Sequence, residues 1–330
     1  MKVAVLHGKV MAGAAQDEQD VLVQVACVSQ ALAQLGYEPV PVALSLNMTE
    51  AADNLLAVKP AFVFNLVEAI EGRGNLIPCA PLLLDALQLP YTGAQAEAMF
   101  LSSGKITAKN IMRMAGIATP DCLSVDGPWP AALKMTRYII KSEWEHASLG
   151  LDESAVFYPS DIEQLRSKIL ALRERLGGAC FAEAFVDGRE LNIALLARAA
   201  GVEVLPPAEI IFADYPPDKV RMLCYDAKWT PDSFEYEHTR RTFDFPPQDE
   251  PLLRQLSAIS THCWEVFKLR GYARVDFRID EAGQPWVLEI NANPCLSPDG
   301  GFVAAAARDG LDYNGLIGRI IQDIPQKEGA

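Results

Sequence analysis

Apolar positions change period along the first hundred residues. Residues 2–7 hold a short unbroken apolar run, Val3 to Leu6, of strand length. Residues 18–35 repeat at helical spacing: Val21, Val25, Val28, Leu32 and Leu35 form one stripe, and Gly36 supplies the stop. Residues 39–44 and 61–65 read as further strands and 77–87 as a helix, with Leu89-Pro90-Tyr91-Thr92-Gly93 closing the unit. Strand alternating with helix predicts a parallel sheet with helices on its faces.

The pattern then shortens. Ser102 or Ser103 stands where it would cap a helix running to Ala115 and closed by Gly116. Residues 137–141 form an apolar strand, a loop of small residues follows, and 161–176 are helical with Gly177-Gly178 behind. Residues 180–186 and 190–197 flank the turn dipeptide Asp187-Gly188, and 202–212 are extended. Residues 214–249 are polar and lack periodicity; so long a stretch is functional or disordered. A helix over 252–269, strands over 273–279 and 286–291, and a final helix after Gly310 complete the chain. This divides it into an N-terminal unit 1–102, a small central lobe 103–180 and a C-terminal lobe 181–330.

Charge narrows the partners. The formal net charge is −14 over 330 residues, and no Lys/Arg run interrupts it. That argues against nucleic acid and anionic membrane, although a few placed lysines can hold an anionic ligand. Seven cysteines, at 27, 79, 122, 180, 224, 263 and 295, include no CxxC pair. They read as reduced thiols in a cytoplasmic protein, most of them acting as small buried hydrophobes. No apolar stretch reaches the ~18 residues of a membrane span, and Gly8-Lys9 stops the first run too early for a signal peptide.

The densest candidate chemistry lies on the two late strands. Alternation puts Arg274 and Asp276 on one face of the first, and Glu289 and Asn291 on one face of the second. A hairpin tip at Ala282-Gly283 sets Asp276 opposite Glu289 and Arg274 opposite Asn291. Facing carboxylates repel, and a hard cation relieves this. Magnesium takes one or two carboxylates plus phosphates, and an Asn oxygen completes the set. A solvated polar hairpin face explains the same alternation, and an odd-length loop would break the facing.

With Arg274-Val275-Asp276 and Glu289-Ile290-Asn291-Ala292-Asn293-Pro294 in this order, the chain resembles the ATP-grasp superfamily. Within it the D-alanine–D-alanine ligase branch is most similar, over nearly the whole length. The resemblance implies an α/β chain with α+β lobes: a three-domain ATP-grasp fold whose N-terminal sheet is parallel and Rossmann-like. It implies an ATP-dependent carboxylate–amine ligase working through an acyl phosphate. ATP and two Mg2+ ions are the implied cofactors, with Mn2+ as a substitute, the ions held by Asp276, Glu289 and Asn291. Arg274 would stabilise charge on the attacked carbonyl. Lys105 and Lys141 would contact the nucleotide phosphates, while Lys109 reads as a surface residue. Backbone groups around Ala184, Phe185 and Val186 would read the adenine edge; Glu183 would lie near the exocyclic amine, and Glu190 would accept from the ribose. Residues 145–150, with Ser148 at a serine position and His146 replacing a small residue, stand in for a phosphate flap. Lys228 matches a lid lysine that reaches the transferred phosphate.

The departures from the family gather where amino acids should bind. Trp229 replaces a Tyr whose hydroxyl joins a network near the first amino acid. The acid of that network is assigned to Glu18, with Asp17 and Asp20 as alternatives. Glu68, in the loop 65–72, sits in the N-terminal substrate loop, which lacks its usual His-Gly pair. Gly300 takes the usual serine position of the second-substrate loop, Ser297 is the substitute, and Asp299 would repel a carboxylate. D-alanyl-D-alanine-type dipeptide formation is the implied reaction. Other amino-acid, peptide or secondary-metabolite substrates stay open, as does nucleotide binding without turnover. Small-molecule partners and a homodimer are implied by the same resemblance.

Overall fold

The computed structural model describes residues 1–11, 13–145, 148 and 150–325. The flap residues His146, Ala147 and Leu149 lie outside the described residues. Strands β1 (Lys2–Gly8), β2 (Glu38–Leu44) and β3 (Phe62–Asn65) form the expected parallel sheet, in the order β2-β1-β3. β1 is central, so its run is buried on both faces. Val3 and Val5 pack towards helix α1 (Gln16–Gln34), and Ala4 and Leu6 towards α2 (Met48–Val58) and α3 (Cys79–Ala86). The pattern missed α2, which buries only Ala51 and Leu55; its start is marked by Asn47, whose side chain accepts from Glu50 N.

Helices α4 (Ala96–Ser103) and α5 (Lys105–Met114) meet at Gly104, which corrects the expected cap. Ser102 and Ser103 close the helix before the break, their hydroxyls donating back to the Ala98 and Met99 carbonyls. Both helices pack on the largest sheet, through Ala98, Met99, Ala108 and Met112.

A four-stranded antiparallel sheet follows, of β4 (Cys122–Ser124), β5 (Tyr138–Ser142), β6 (Val156–Phe157) and β7 (Cys180–Ala184), backed by α6 (Ile162–Leu172). Its core is Tyr138, Ile140, Leu165, Ile169 and Ala182. The third sheet contains β8 (Arg189–Arg198), β9 (Gly201–Val204), β10 (Ala208–Phe212), β11 (Thr239–Thr242), β12 (Tyr272–Ile279) and β13 (Pro285–Asn291). Its order is β11-β10-β8-β12-β13, with β9 beside β8. Helix α9 (Glu250–Val266) covers one face. α10 (Gly301–Arg308) and α11 (Tyr313–Gln322) cover the other and share a core with α1.

Two features bear on the site. First, β7 and β8 pair with different sheets, so Asp187-Gly188 is no hairpin turn: the chain crosses between sheets there. Second, the polar stretch 214–249 is ordered, containing α7 (Asp226–Trp229), α8 (Phe234–His238) and β11. Among the described residues, no helix is long and apolar enough to cross a membrane.

Candidate active site

The hairpin β12–β13 has the expected facing, reached by an unexpected route. Near the tip Ile279 pairs with Pro285 and Phe277 with Val287, around an odd-length loop. A register shift between Asp276 and Phe277 then inserts Leu288 as an extra residue, and Asp276 faces Glu289 and Arg274 faces Asn291. The bulge offsets the odd loop and also turns Leu288 into the wall of the cleft.

That cleft, of about 840 Å³, lies between the second and third sheets. Asp276 accepts both guanidinium nitrogens of Arg274, at 2.7 and 2.8 Å, and the Asn192 amide at 2.8 Å. Burial opposes the charge on Arg274, but Asp276 and Glu289 outweigh it and raise the pKa. Lys105 Nζ lies 3.3 Å from Glu289 and donates to the Glu145 carbonyl at 2.7 Å. Asn291 Oδ1 accepts the Asn293 backbone N–H at 3.0 Å. Among the described residues no three His, Cys, Asp or Glu side chains are placed to hold a metal ion by themselves. The donor set is therefore two carboxylates and an amide, all oxygen, leaving coordination to be completed by phosphates, as suits magnesium.

Lys109 corrects the surface expectation. It is 0% exposed and pairs with Glu183 at 2.5 Å, while Lys141 holds the other Glu183 oxygen at 2.5 Å. Burial pushes the Glu183 carboxyl up, yet Lys109 and Lys141 together keep it below its ordinary pKa. Glu183 thus lines the cleft as the centre of a charge network. At the crossing, Phe185 lies under Arg137 and Arg278, 4.8 and 5.6 Å from its ring centre. Ala184 ends β7, and Val186 lines the cleft. Arg278 was missed from the sequence, although it continues the Arg274–Asp276 face. It pairs with Glu190 at 2.8 Å and donates to the Gly188 and Arg221 carbonyls.

Ser148 and Lys228 meet over the cleft. Lys228 Nζ donates to Ser148 Oγ at 3.0 Å, and Ser148 donates to the Leu223 carbonyl at 3.0 Å. Burial, then Arg274, lowers the Lys228 pKa. The indole N–H of Trp229 is buried and has no acceptor among the described residues.

A second cavity adjoins the first through Glu145, which lines both. Its wall includes Lys9, Asp17, Glu18, Glu68 and Glu71. Asp20 does not line it; it accepts the Ser297 hydroxyl, at 2.8 Å to both oxygens, and the Cys295 thiol at 3.2 Å. Ser297, 2% exposed, is therefore held inward by α1, and Gly300 is the N-cap of α10.

A parallel three-stranded unit, two antiparallel sheets and a cleft between them make this an ATP-grasp fold. The chain belongs to the D-Ala–D-Ala ligase C-terminal family, whose model matches residues 138–322. It is 31% identical over 274 residues, 81% of this chain and 75% of the relative, to the uncharacterized protein y4sG of Sinorhizobium fredii. It is 29% identical over 331 residues to the D-alanine–D-alanine ligase of Aquifex aeolicus, covering 97% of this chain and all (100%) of that one. A crystal structure of D-alanine–D-alanine ligase from Bacillus anthracis complexed with ATP superposes with a TM-score of 0.75 at 19% identity, covering 98% and 97% of the two chains.

Proposed function

We propose that this chain is an ATP-cleaving, magnesium-dependent ligase that joins a carboxylate to an amine, forming a dipeptide of the D-alanyl-D-alanine kind. The observation that carries the reading is the pair Asp276 and Glu289, facing each other at the foot of a cleft ringed by Lys105, Lys141 and Lys228. Asp276, Glu289 and Asn291 would hold two Mg2+ or Mn2+ ions, whose charge offsets that of the phosphate oxygens during transfer. Lys105 and Lys141 position the phosphates. Ala184, Phe185 and Val186 bind the base, with Glu183 anchoring the two lysines beneath it, and Glu190 takes the ribose. Arg274 is aimed at the carbonyl oxygen as charge develops there. Lys228 and Ser148 close the lid over the reacting acyl phosphate and exclude water.

We divide the chain into units 1–102, 103–180 and 181–330, with α5 of the second packed on the sheet of the third, and place Glu18 on the first-substrate side, Glu68 in the N-terminal substrate loop, and Ser297 and Gly300 on the second-substrate side. Ser297 acts through the shape of its loop, because its hydroxyl is engaged by Asp20. We place the enzyme in the cytoplasm as a homodimer, to be checked by sedimentation.

The test is ADP release from ATP with D-alanine, with and without magnesium. Release should require both and be matched by dipeptide, and Asp276→Asn should lower it at least ~100-fold. Turnover with another amino-acid pair and none with D-alanine would overturn the substrate assignment while keeping the chemistry.

A further inference from the structure

We propose that Glu68 is the base that takes the proton from the incoming ammonium group. This rests on the ligase reading. An ammonium ion has no lone pair, so it must lose a proton before its nitrogen attacks the acyl phosphate. The nitrogen lone pair then forms the C–N bond, the C–O bond to phosphate breaks, and phosphate leaves with that electron pair. The second nitrogen proton departs with the phosphate, so one proton remains for a protein base.

Among the described residues, few groups meet the requirement. Trp229 carries no hydroxyl, and no described histidine lines either cavity. Lys228 bonds Ser148, and Arg274 is bidentate to Asp276. Glu68 lines the second cavity, beside the passage marked by Glu145. One of its oxygens accepts the Gln24 amide at 2.8 Å. Gln24 in turn accepts the Leu296 N–H at 2.9 Å, and Asn293 donates to the Val67 carbonyl at 2.9 Å. The loop bearing Glu68 and the loop after Asn291 are thereby tied into one frame, which holds the carboxylate at the wall of the second cavity.

The charged surroundings suit the task. Asp17 and Asp20 face Glu68 from α1, and Arg274 from β12; Tyr272 and Cys295 also feel its charge. Burial, opposed by the Gln24 bond and assisted by Asp20, lifts the Glu68 carboxyl to about 7. A base poised there accepts a proton near neutral pH and can return it. Asp17 and Glu18, along the same wall, offer a path for that proton to water.

The experiment compares two acceptors on D-alanine and ATP. D-alanine as acceptor arrives as an ammonium ion; hydroxylamine is already neutral at pH 7 and bypasses the base. Glu68→Gln keeps the size and an oxygen for Gln24. It should lower dipeptide formation roughly 100-fold and abolish the acidic limb of the rate profile near pH 7. Hydroxamate formation should stay close to wild type. Glu68→Asp, which keeps a carboxylate, should give an intermediate dipeptide rate and retain the limb. The proposal is overturned if Glu68→Gln forms dipeptide at the wild-type rate, or if both products fall together in both variants. If the wild-type enzyme gives neither dipeptide nor hydroxamate, the ligase reading itself fails, and the two failures are thus distinct.

Discussion

A lysine's role depends on what surrounds its ammonium group. Lys109 sits one turn beyond Lys105 on an amphipathic helix, where sequence alone favours solvent. Its ammonium instead meets Glu183 and the Thr119 hydroxyl with no exposure. Removing Lys109 leaves the buried Glu183 carboxylate with Lys141 as its one remaining cation among the described residues, and breaking into a buried ion network is costly. Lys109→Met should therefore destabilise the fold by about 3 kcal/mol in denaturant titration, whereas Lys134→Ala, at an exposed pair with Asp121, should cost less than about 1 kcal/mol. Comparable losses would mean that the Glu183 network contributes nothing special. Glu68 makes a second prediction. Its folded pKa, about 7, lies above its ordinary 4.5, so the native state holds more protons between those values. Stability attributable to this group falls as pH rises through that window, by up to ~3 kcal/mol. Glu68→Gln should thus be more stable than wild type at pH 8 and equal to it at pH 4, by thermal unfolding. A pH-independent difference would contradict the burial argument. Neither the buried ion Lys109 nor the half-buried, shifted carboxyl of Glu68 was legible from sequence, because the partners come from segments distant in the chain.

The facing of Asp276 and Glu289 was legible because strand alternation is a local rule, and β12 and β13 are neighbours in the chain. The bulge at Leu288 was not, since nothing in its side chain announces an extra residue; it emerges from reconciling an odd loop with the paired face. The crossing at Asp187-Gly188 was ambiguous for a similar reason. A turn dipeptide suits both a hairpin and a change of sheet, and only the partners of β7 and β8 decide. Gly188 shows what the crossing demands. Its φ is +139°, and a Cβ there would lie 1.9 Å from the Ile279 carbonyl oxygen. Gly188→Ala should cost about 3 kcal/mol through strain and displacement and raise the KM for ATP, because Arg278 bonds the Gly188 carbonyl and also holds Glu190. Gly283→Ala is the control. Its φ is +80° but the space around it is open, so only about 1 kcal/mol is expected and no change in KM. Equal effects at both sites would show that the crossing does not shape the nucleotide pocket.

Across the whole molecule, the acceptor side is assembled from α1, the loop after β3, the loop after β5 and the loop after β13. No single stretch carries its pattern, which is why phosphate chemistry could be read from sequence more fully than amino-acid selection. The lid is where these parts meet. Lys228 bonds Ser148, Lys219 pairs with Glu153 at 2.5 Å and with Glu235 at 2.7 Å, and the Tyr225 hydroxyl donates to Asp17 at 3.1 Å. Among the described residues, the Tyr225 bond is the side-chain hydrogen bond that ties the lid to the N-terminal unit, beside the acidic cavity. Losing a hydrogen bond to a carboxylate costs about 1.5 kcal/mol, which raises the open fraction of the lid roughly tenfold. An open lid admits water, and water competes with the amine for the acyl phosphate. Tyr225→Phe should therefore release more phosphate than it forms amide, while wild type keeps the two equal, and its thermal stability should change little because Tyr225 packs outside the main cores. Parallel assays of phosphate and dipeptide measure this ratio directly. A ratio that stays at parity in Tyr225→Phe would remove the clasp from the mechanism and leave lid closure to Lys228 and Lys219.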